Sequence, residues 1–109
     1  KHNKDGLCRE WTKNGVLIKE INWSNNKENG LYREWYKNGQ LEIEGMYDGS
    51  NGERFSSKIG LWKTWHENGQ LRTEGNYVNG KKVGIHRSWN RDGEINSEKD
   101  HTRSPKFHK

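Results

Sequence analysis

Hydrophobic and polar residues alternate along most of this chain, and Asn-Gly or Asp-Gly pairs interrupt the alternation at regular intervals. The interrupting pairs are Asn14-Gly15, Asn38-Gly39, Asn68-Gly69 and Asp92-Gly93. Alternation with a period of two is typical of a strand with one buried face. An Asn-Gly pair between two such runs is the strongest local signal for a hairpin. A second turn, such as Asn79-Gly80, links each hairpin to the next, so the pattern predicts tandem β-hairpins and no helices.

One frame, Gly-x4-Trp-x3-Gly-x-Leu-x2-Glu, occurs four times, with Ile replacing Leu in the last copy. The frames start at residues 6, 30, 60 and 84, that is, 24, 30 and 24 residues apart. Such periods indicate a repeat array. We therefore predict an all-β, single-layer antiparallel meander of about four hairpin repeats over residues 1–101. The six-residue insertion is expected to form a loop within residues 48–58, and residues 102–109 a flexible basic tail.

The spacing of apolar residues around each pair predicts the type of hairpin loop. A two-residue loop at Asn38-Gly39 would project Trp35 and Leu41 from opposite faces. A three-residue loop that adds Lys37, with Gly39 in the left-handed region, places Trp35 opposite Leu41 instead. We favour the three-residue loop because it pairs two large apolar side chains on one face. The corresponding turn glycines are Gly15, Gly39, Gly69 and Gly93.

Strict alternation on either side of this loop places one set of residues on one face, namely Leu31, Arg33, Trp35, Leu41, Ile43, Gly45 and Tyr47, and places Glu34, Glu42 and Glu44 on the other. Equivalent residues in the other copies extend that face into an apolar stripe, which we predict to be the core. The predicted core residues are Trp11, Leu17, Trp35, Leu41, Trp65, Leu71, Trp89 and Ile95. Only 27% of the chain is hydrophobic, but it includes six Trp and four Tyr residues. Large rings stacked in register would stabilise a thin sheet despite this composition.

A second set of aromatic residues falls on the other face and is not needed for the apolar stripe. These residues are Tyr32, Tyr36, Trp62, His66 and His86. Exposed aromatic residues interleaved with charge are typical of protein interfaces. The sequence therefore predicts a face that binds a protein partner. The alternative is that a one-layer sheet needs aromatic residues on both faces for rigidity.

Charged residues also recur at fixed positions of the frame. The glutamates are Glu20, Glu44, Glu74 and Glu98, and the cations are Arg9, Arg33, Lys63 and Arg87. Catalytic residues normally occur once, in an asymmetric environment, so four equivalent copies indicate cross-strand charge pairs or structural hydrogen bonds. His66 and His86 could approach each other, but a zinc site would require further ligands. We expect no catalytic residues, no metal and no cofactor.

The net charge of +5 is concentrated near the chain ends. Residues 6–98 contain 14 basic and 13 acidic residues, whereas residues 99–109 contain four basic residues and one acidic residue. A nucleic-acid footprint should lie on the folded surface, so this distribution argues against nucleic acid as the partner. The basic tail instead suggests an alternative, attachment to an anionic membrane or lipid surface.

With the frame established, the chain resembles the MORN-repeat family, and in particular its bacterial variant. Units of that variant read roughly Gly-x-Trp-x2-Trp-x2-Asn-Gly-Gln-Leu-x2-Glu-Gly-x-Tyr-x-Asn-Gly-Lys. Residues 60–81 fit this pattern almost throughout, and residues 30–47 nearly as well. The outer copies depart from it, since Ile21 and Lys99 replace the glycine that follows the repeated Glu, and His101 replaces the tyrosine. The resemblance covers about residues 6–101 and implies a β-hairpin repeat array.

The resemblance also implies candidate functions. Many bacterial proteins of this type are labelled as antitoxins (the YwqK-like family), while eukaryotic relatives are associated with membrane attachment and scaffolding. An antitoxin or immunity role, a scaffold and a structural spacer in a longer protein all remain open. The altered outer copies suggest self-association through the sheet edges. The chain begins without Met, which suggests a piece of a longer protein, and its localisation stays open.

Overall fold

Eight antiparallel strands follow one another in a single sheet, and each strand pairs with its neighbours in sequence. A computed structural model of the chain describes residues 4–50 and 52–102. The strands are β1 (Gly6–Trp11), β2 (Leu17–Ser24), β3 (Lys27–Trp35), β4 (Leu41–Asp48), β5 (Ser57–Trp65), β6 (Leu71–Val78), β7 (Lys81–Trp89) and β8 (Ile95–Asp100). The molecule measures 55 × 40 × 13 Å, so it is one sheet thick. The prediction of an all-β, single-layer meander is confirmed.

The hairpin loops have the predicted three-residue form. Trp35 pairs with Leu41, and the Tyr36 N–H donates to the Gln40 carbonyl at 2.9 Å. The Gly39 N–H donates to the Tyr36 carbonyl at 3.0 Å, and Gly39 has a φ of 91°. A left-handed residue at this position closes the hairpin with the twist that the strands require, and glycine adopts it without a steric penalty. This explains the fixed Asn-Gly spacing.

An extra residue in β4 changes the register immediately after the loop. Trp35 pairs with Leu41, but Glu34 pairs with Ile43, so Glu42 has no partner of its own across the ladder. This is a β-bulge, in which two residues on one strand lie opposite one residue on the other. Equivalent register shifts occur at the ends of β1, β5 and β7. The bulge is therefore a feature of every repeat.

The bulge moves the rest of β4 to the opposite face from the one expected. Tyr32 lies opposite Gly45, and residues directly opposite one another in an antiparallel pair share a face. Ile43, Gly45 and Tyr47 therefore lie on the face of Tyr32. The prediction that they share a face with Trp35 is wrong, because strict alternation does not allow for an inserted residue.

The register gives the sheet two chemically different faces. We call one the ion-pair face, because a row of alternating charge crosses all eight strands on it. The row consists of Arg9, Glu20, Arg33, Glu44, Lys63, Glu74, Arg87 and Glu98. We call the other the ladder face, after a chain of contacting aromatic rings. The rings belong to Tyr32, Tyr47, Trp62, Tyr77, His86 and His101.

The core lies on the ladder face and not on the predicted apolar stripe. Trp62 is the only buried hydrophobic side chain in the described residues, with 6% of its surface exposed. Of the predicted core residues, Trp11 is 55% and Ile95 56% exposed. The other predicted core residues are half-buried, namely Leu17, Trp35, Leu41, Trp65, Leu71 and Trp89. The core prediction is wrong for Trp11 and Ile95, which are exposed. The bulge places Tyr47 and Tyr77 on the ladder face, so these rings do not pack with the tryptophan stripe.

Hydrogen bonds between loop tips connect neighbouring repeats. The Tyr36 hydroxyl donates to the Trp65 carbonyl at 2.7 Å, and His66 Nε2 lies 2.8 Å from the Trp89 carbonyl. The side-chain amide of Asn38 donates to the Glu67 carbonyl at 3.1 Å. Tyr36 and His66 therefore occupy equivalent positions of the repeat, and the side chain of each forms a hydrogen bond to the backbone of the next repeat.

We expect Tyr36→Phe to lower the free energy of unfolding by about 1 kcal/mol, because it removes one partly buried hydrogen bond and little apolar area. Urea unfolding followed by circular dichroism would measure the loss. Tyr36→Leu, which also removes the ring, should cost more than Tyr36→Phe. An unchanged midpoint for the phenylalanine variant would show that this hydrogen bond does not stabilise the junction.

Two further predictions concern the ends of the sheet. Each of β1 and β8 pairs with one neighbour among the described strands, so self-association through the sheet edges stays a prediction. The predicted tail, residues 102–109, lies outside the described residues except for Thr102.

Candidate functional site

The ladder face is built from two positions of the repeat that alternate between strands. One position supplies Tyr32, Trp62 and His86, and the other supplies Tyr47, Tyr77 and His101. Ring centroids are separated by 5.4 Å for Tyr32–Tyr47, 5.0 Å for Tyr47–Trp62, 6.4 Å for Trp62–Tyr77, 5.3 Å for Tyr77–His86 and 5.1 Å for His86–His101. All five contacts are edge-to-face, the arrangement that aromatic quadrupoles favour.

Glycines make room for two rings of the ladder, those of Trp62 and His86. A Cβ atom on Gly45 would lie 2.0 Å from Cδ2 of Trp62, and one on Gly75 would lie 2.1 Å from Nδ1 of His86. The indole N–H of Trp62 donates to the Met46 carbonyl at 3.1 Å. Gly45 and Gly75 therefore leave the space that an aromatic ring of the next strand occupies.

The ladder face is acidic at its β3 end. The Tyr32 hydroxyl donates to Glu34 at 2.5 Å, and Lys19 lies 3.4 Å from the same carboxylate. Partial burial raises the pKa of Tyr32, and the hydrogen bond to Glu34 raises it further. The pKa of Tyr47 is also raised, first by burial and then by Glu28 and Glu34.

The opposite end of the ladder face, from β5 to β8, is basic. The Lys58 ammonium lies 4.8 Å from the Trp62 ring centroid and 5.1 Å from that of Tyr77, within the range of cation–π attraction. The pKa of His101 is lowered by desolvation and then by the positive charges of His86, Lys82 and Lys99. These groups line a shallow groove of about 540 Å³.

The predicted partner-binding residues do not form a single exposed surface. Tyr32, Trp62 and His86 line the groove on the ladder face, whereas Tyr36 and His66 join the loop tips. The expectation of exposure is wrong for Trp62, which is 6% exposed. The other four are half-buried, as expected if rings rigidify a one-layer sheet. A partner-binding role for these five residues stays a prediction.

Sequence reasoning missed the rest of the ladder and its cations. Tyr47 and Tyr77 were assigned to the other face, and Lys58 and Lys82 were not considered. The sequence did contain a signal, because Tyr47 and Tyr77 follow Gly45 and Gly75 by two residues in the two central repeats. Residues two apart on a strand share a face, so the glycine and the tyrosine mark the same surface.

The repeated glutamates form cross-strand ion pairs on the ion-pair face. The shortest N–O distances are 2.8 Å for Arg9–Glu20, 2.9 Å for Arg33–Glu44 and 2.8 Å for Arg87–Glu98. These distances confirm the predicted structural role of the glutamates in three of the four copies. Such solvent-exposed pairs contribute roughly 0–1 kcal/mol each, so they specify register more than they stabilise the sheet.

The ion-pair face also carries most of the exposed apolar surface. Eight large hydrophobic side chains are exposed in the described part of the chain, and strand register places all except Phe55 on this face. The seven are Leu7, Trp11, Met46, Leu61, Val78, Ile85 and Ile95. They contribute to two apolar stripes: Trp11 and Ile95 stand at the two ends of the Trp–Leu stripe on one side of the ion pairs, and the other five lie on the other side of the row.

Two other kinds of site were sought in the described residues. Within residues 4–50 and 52–102, no group of three or more His, Cys, Asp or Glu side chains is arranged to hold a metal ion. In the same residues, no helix is long and apolar enough to cross a membrane.

Comparison with known families agrees with the repeat architecture. A family model described as a MORN repeat variant matches residues 4–25, 28–48 and 58–79, more than half of the chain. The matched segments correspond to β1–β2, β3–β4 and β5–β6, and the fourth hairpin, β7–β8, follows the last of them. Comparisons with curated proteins and with solved structures gave no significant match.

Proposed function

Because this chain belongs to the MORN repeat variant family, whose repeats are generally non-catalytic, we propose that it binds a protein partner through its ion-pair face. The observation that carries the proposal is the concentration of seven exposed large hydrophobic side chains on that one face. Scattered exposed hydrophobic residues are normal on a soluble domain, but contiguous apolar stripes mark interaction surfaces.

The arrangement of the stripes supports a specific interface. Met46 pairs with Ile59 across β4 and β5. Leu61 lies two residues after Ile59 on β5 and therefore on the same face. Met46 is 44% and Leu61 43% exposed. The alternating charges beside them would orient a complementary partner, while the apolar side chains would supply most of the affinity. An antitoxin or immunity protein would be one form of such a module.

We expect a double variant, Met46→Gln with Leu61→Gln, to weaken partner binding about tenfold or more while the sheet stays folded, because two central apolar contacts are lost. The measurement is affinity capture from a lysate of the source organism, followed by titration of the captured protein. The matched control is Lys82→Gln, which changes an exposed residue on the ladder face.

The outcomes of this experiment separate the two faces. Loss of one stoichiometric partner with the double variant, and its retention with Lys82→Gln, would support the ion-pair face. Loss with Lys82→Gln alone would place the contact on the ladder face and refute the proposal. Thermal unfolding of each variant would show whether a loss of binding reflects a loss of fold.

A further inference from the structure

We propose that the basic half of the ladder-face groove binds an extended acidic segment of a protein, with carboxylates at alternate positions. The site lies on the opposite face from the proposed partner surface and does not depend on it. Its cations are Lys58, Lys82 and Lys99, and the imidazoles of His86 and His101 lie between them.

No carboxylate side chain of β5 to β8 shares this face with the lysines. Glu74 pairs with Arg87, Glu98 forms an ion pair with Arg87, and Asp100 lies opposite Ile85. All three therefore project from the ion-pair face. Asp100 follows Lys99 directly and is the acidic group nearest to His101 in sequence. Within β5 to β8, the ladder face therefore carries three lysines and no carboxylate side chain, while the glutamates that act on Tyr47, Glu28 and Glu34, lie on β3. This concentration of positive charge in one half of the groove favours an anionic ligand.

The neighbouring charges show the same imbalance. The pKa of His101 is lowered first by desolvation and then by its interactions with His86, Lys82 and Lys99, while Asp100 acts in the opposite direction. On β5, the Lys58 ammonium is held by the rings of Trp62 and Tyr77. Cation–π contacts fix the position of an ammonium group but leave its N–H donors available to a ligand. An acidic ligand would therefore meet a preorganised charge.

The spacing of the lysines favours an extended chain over a small anion. Lys58, Lys82 and Lys99 lie on β5, β7 and β8, and adjacent strands are about 4.8 Å apart, so the three span roughly 14 Å across the sheet. They are also offset along the strands, because Lys99 lies opposite His86 whereas Lys82 lies opposite Tyr77. A single phosphate or carboxylate could not bridge that distance. An extended peptide with carboxylates at alternate positions, about every 6.6 Å, could reach all three lysines.

Hydroxyl groups beside the rings offer further contacts to a peptide. Thr64 and Thr73 are hydrogen-bonded to each other at 2.6 Å, and Ser88 and Ser97 at 3.0 Å. In each pair one hydroxyl donates to the other, which leaves the second hydroxyl hydrogen free to donate to a ligand carbonyl. Both pairs line the groove.

The test uses a fluorescein-labelled ten-residue peptide with glutamate at alternate positions and threonine between, and measures its binding by fluorescence anisotropy. The reference probe replaces every glutamate with glutamine. We expect the glutamate peptide to bind and the glutamine peptide not to bind at the same concentrations. Binding should weaken as salt is raised, because the contacts are between partly exposed charges.

Adjacent lysines on β7 provide a matched pair of variants. Lys82 lies opposite Tyr77, on the ladder face, whereas Lys81 lies opposite Val78, on the ion-pair face. Each exposed charge contact changes affinity by up to about fivefold, so Lys82→Gln with Lys99→Gln should weaken binding about tenfold. Lys81→Gln should leave binding unchanged. Both lysines of β7 are exposed, so the variants should fold, which thermal unfolding would verify.

Four results would overturn the proposal. Equal binding of the glutamine peptide would remove the role of charge, and equal weakening by Lys81→Gln would remove the role of this face. Complete displacement of the peptide by millimolar inorganic phosphate would indicate a site for a small anion. Binding to phosphatidylserine vesicles that depends on Lys82, without binding of the peptide, would indicate a membrane surface instead.

Discussion

Replacing Trp62 with alanine is expected to lower the free energy of unfolding by about 3–5 kcal/mol, the usual cost of truncating a buried aromatic side chain. The ring makes edge-to-face contacts with Tyr47 at 5.0 Å and with Tyr77 at 6.4 Å. It also lies 5.9 Å from Tyr32 and covers Gly45. Truncation would therefore remove the shared contact of several strands. Small domains are stable by only about 5–15 kcal/mol, so the variant should lose a substantial part of the free energy of unfolding.

The matched control is the same substitution on the other face. Trp11 is 55% exposed, and it belongs to the stripe that the sequence predicted as core. Trp11→Ala should cost about 1 kcal/mol or less, because much of its area is already in water. Urea unfolding followed by circular dichroism would compare the two variants. An equal loss for both would contradict the assignment of the core to the ladder face.

The two tryptophans show what the sequence could and could not predict. Hairpin positions and loop type followed from Asn-Gly pairs, because a left-handed glycine is a local requirement of the chain. The pairing of Trp35 with Leu41 followed from the same loop. The sequence could not predict which face the later residues of β4 occupy, because the bulge at Glu42 requires no special residue type. One uncounted residue then reverses the inferred face for the rest of the strand.

The candidate site was affected in a similar way. Tyr32, Trp62 and His86 were correctly grouped on one face, since they share a phase of the repeat. Their exposure was inferred wrongly, because Tyr47 and Tyr77 had been assigned to the opposite face. In the structure, Tyr47 and Tyr77 lie on the same face as these residues and pack with them in one ladder. The exposed large hydrophobic side chains lie on the ion-pair face instead. Burial on a one-layer sheet depends on cross-strand neighbours, so errors of register become errors of function.

The glutamates were easier to interpret than the aromatic residues. Glu44 lies on the face of Arg33, and their separation across the loop is repeated in the other copies. A pair of opposite charges that recurs at constant spacing predicts a contact regardless of which face carries it. The sequence could therefore predict the charge pairs, even though strict alternation placed Arg33 and Glu44 on opposite faces of the sheet, which the register shows to be wrong.

A methyl group at Gly45 should also destabilise the sheet, though less than the loss of the Trp62 ring. Its Cβ atom would lie 2.0 Å from Trp62 Cδ2, far inside van der Waals contact, so the indole would have to shift. Gly45 is not among the glycines with positive φ, so the backbone itself would accept alanine. We expect Gly45→Ala to cost about 1–3 kcal/mol through overpacking alone.

The steric origin of this cost can be tested in a background that lacks the neighbouring ring, where the same Gly→Ala substitution should become stabilising. In a Trp62→Leu background the clash is reduced, and alanine is then favoured over glycine in a strand by roughly 0.5–1 kcal/mol. The equivalent pair, Gly75 and His86, offers a milder version, since a Cβ atom at Gly75 would lie 2.1 Å from the imidazole. Gly75→Ala should be destabilising alone and neutral or stabilising in a His86→Ala background, which retains Trp62. A double-mutant cycle measures this coupling directly, and a coupling energy of zero would show that the glycines are kept for a reason other than the rings they seat.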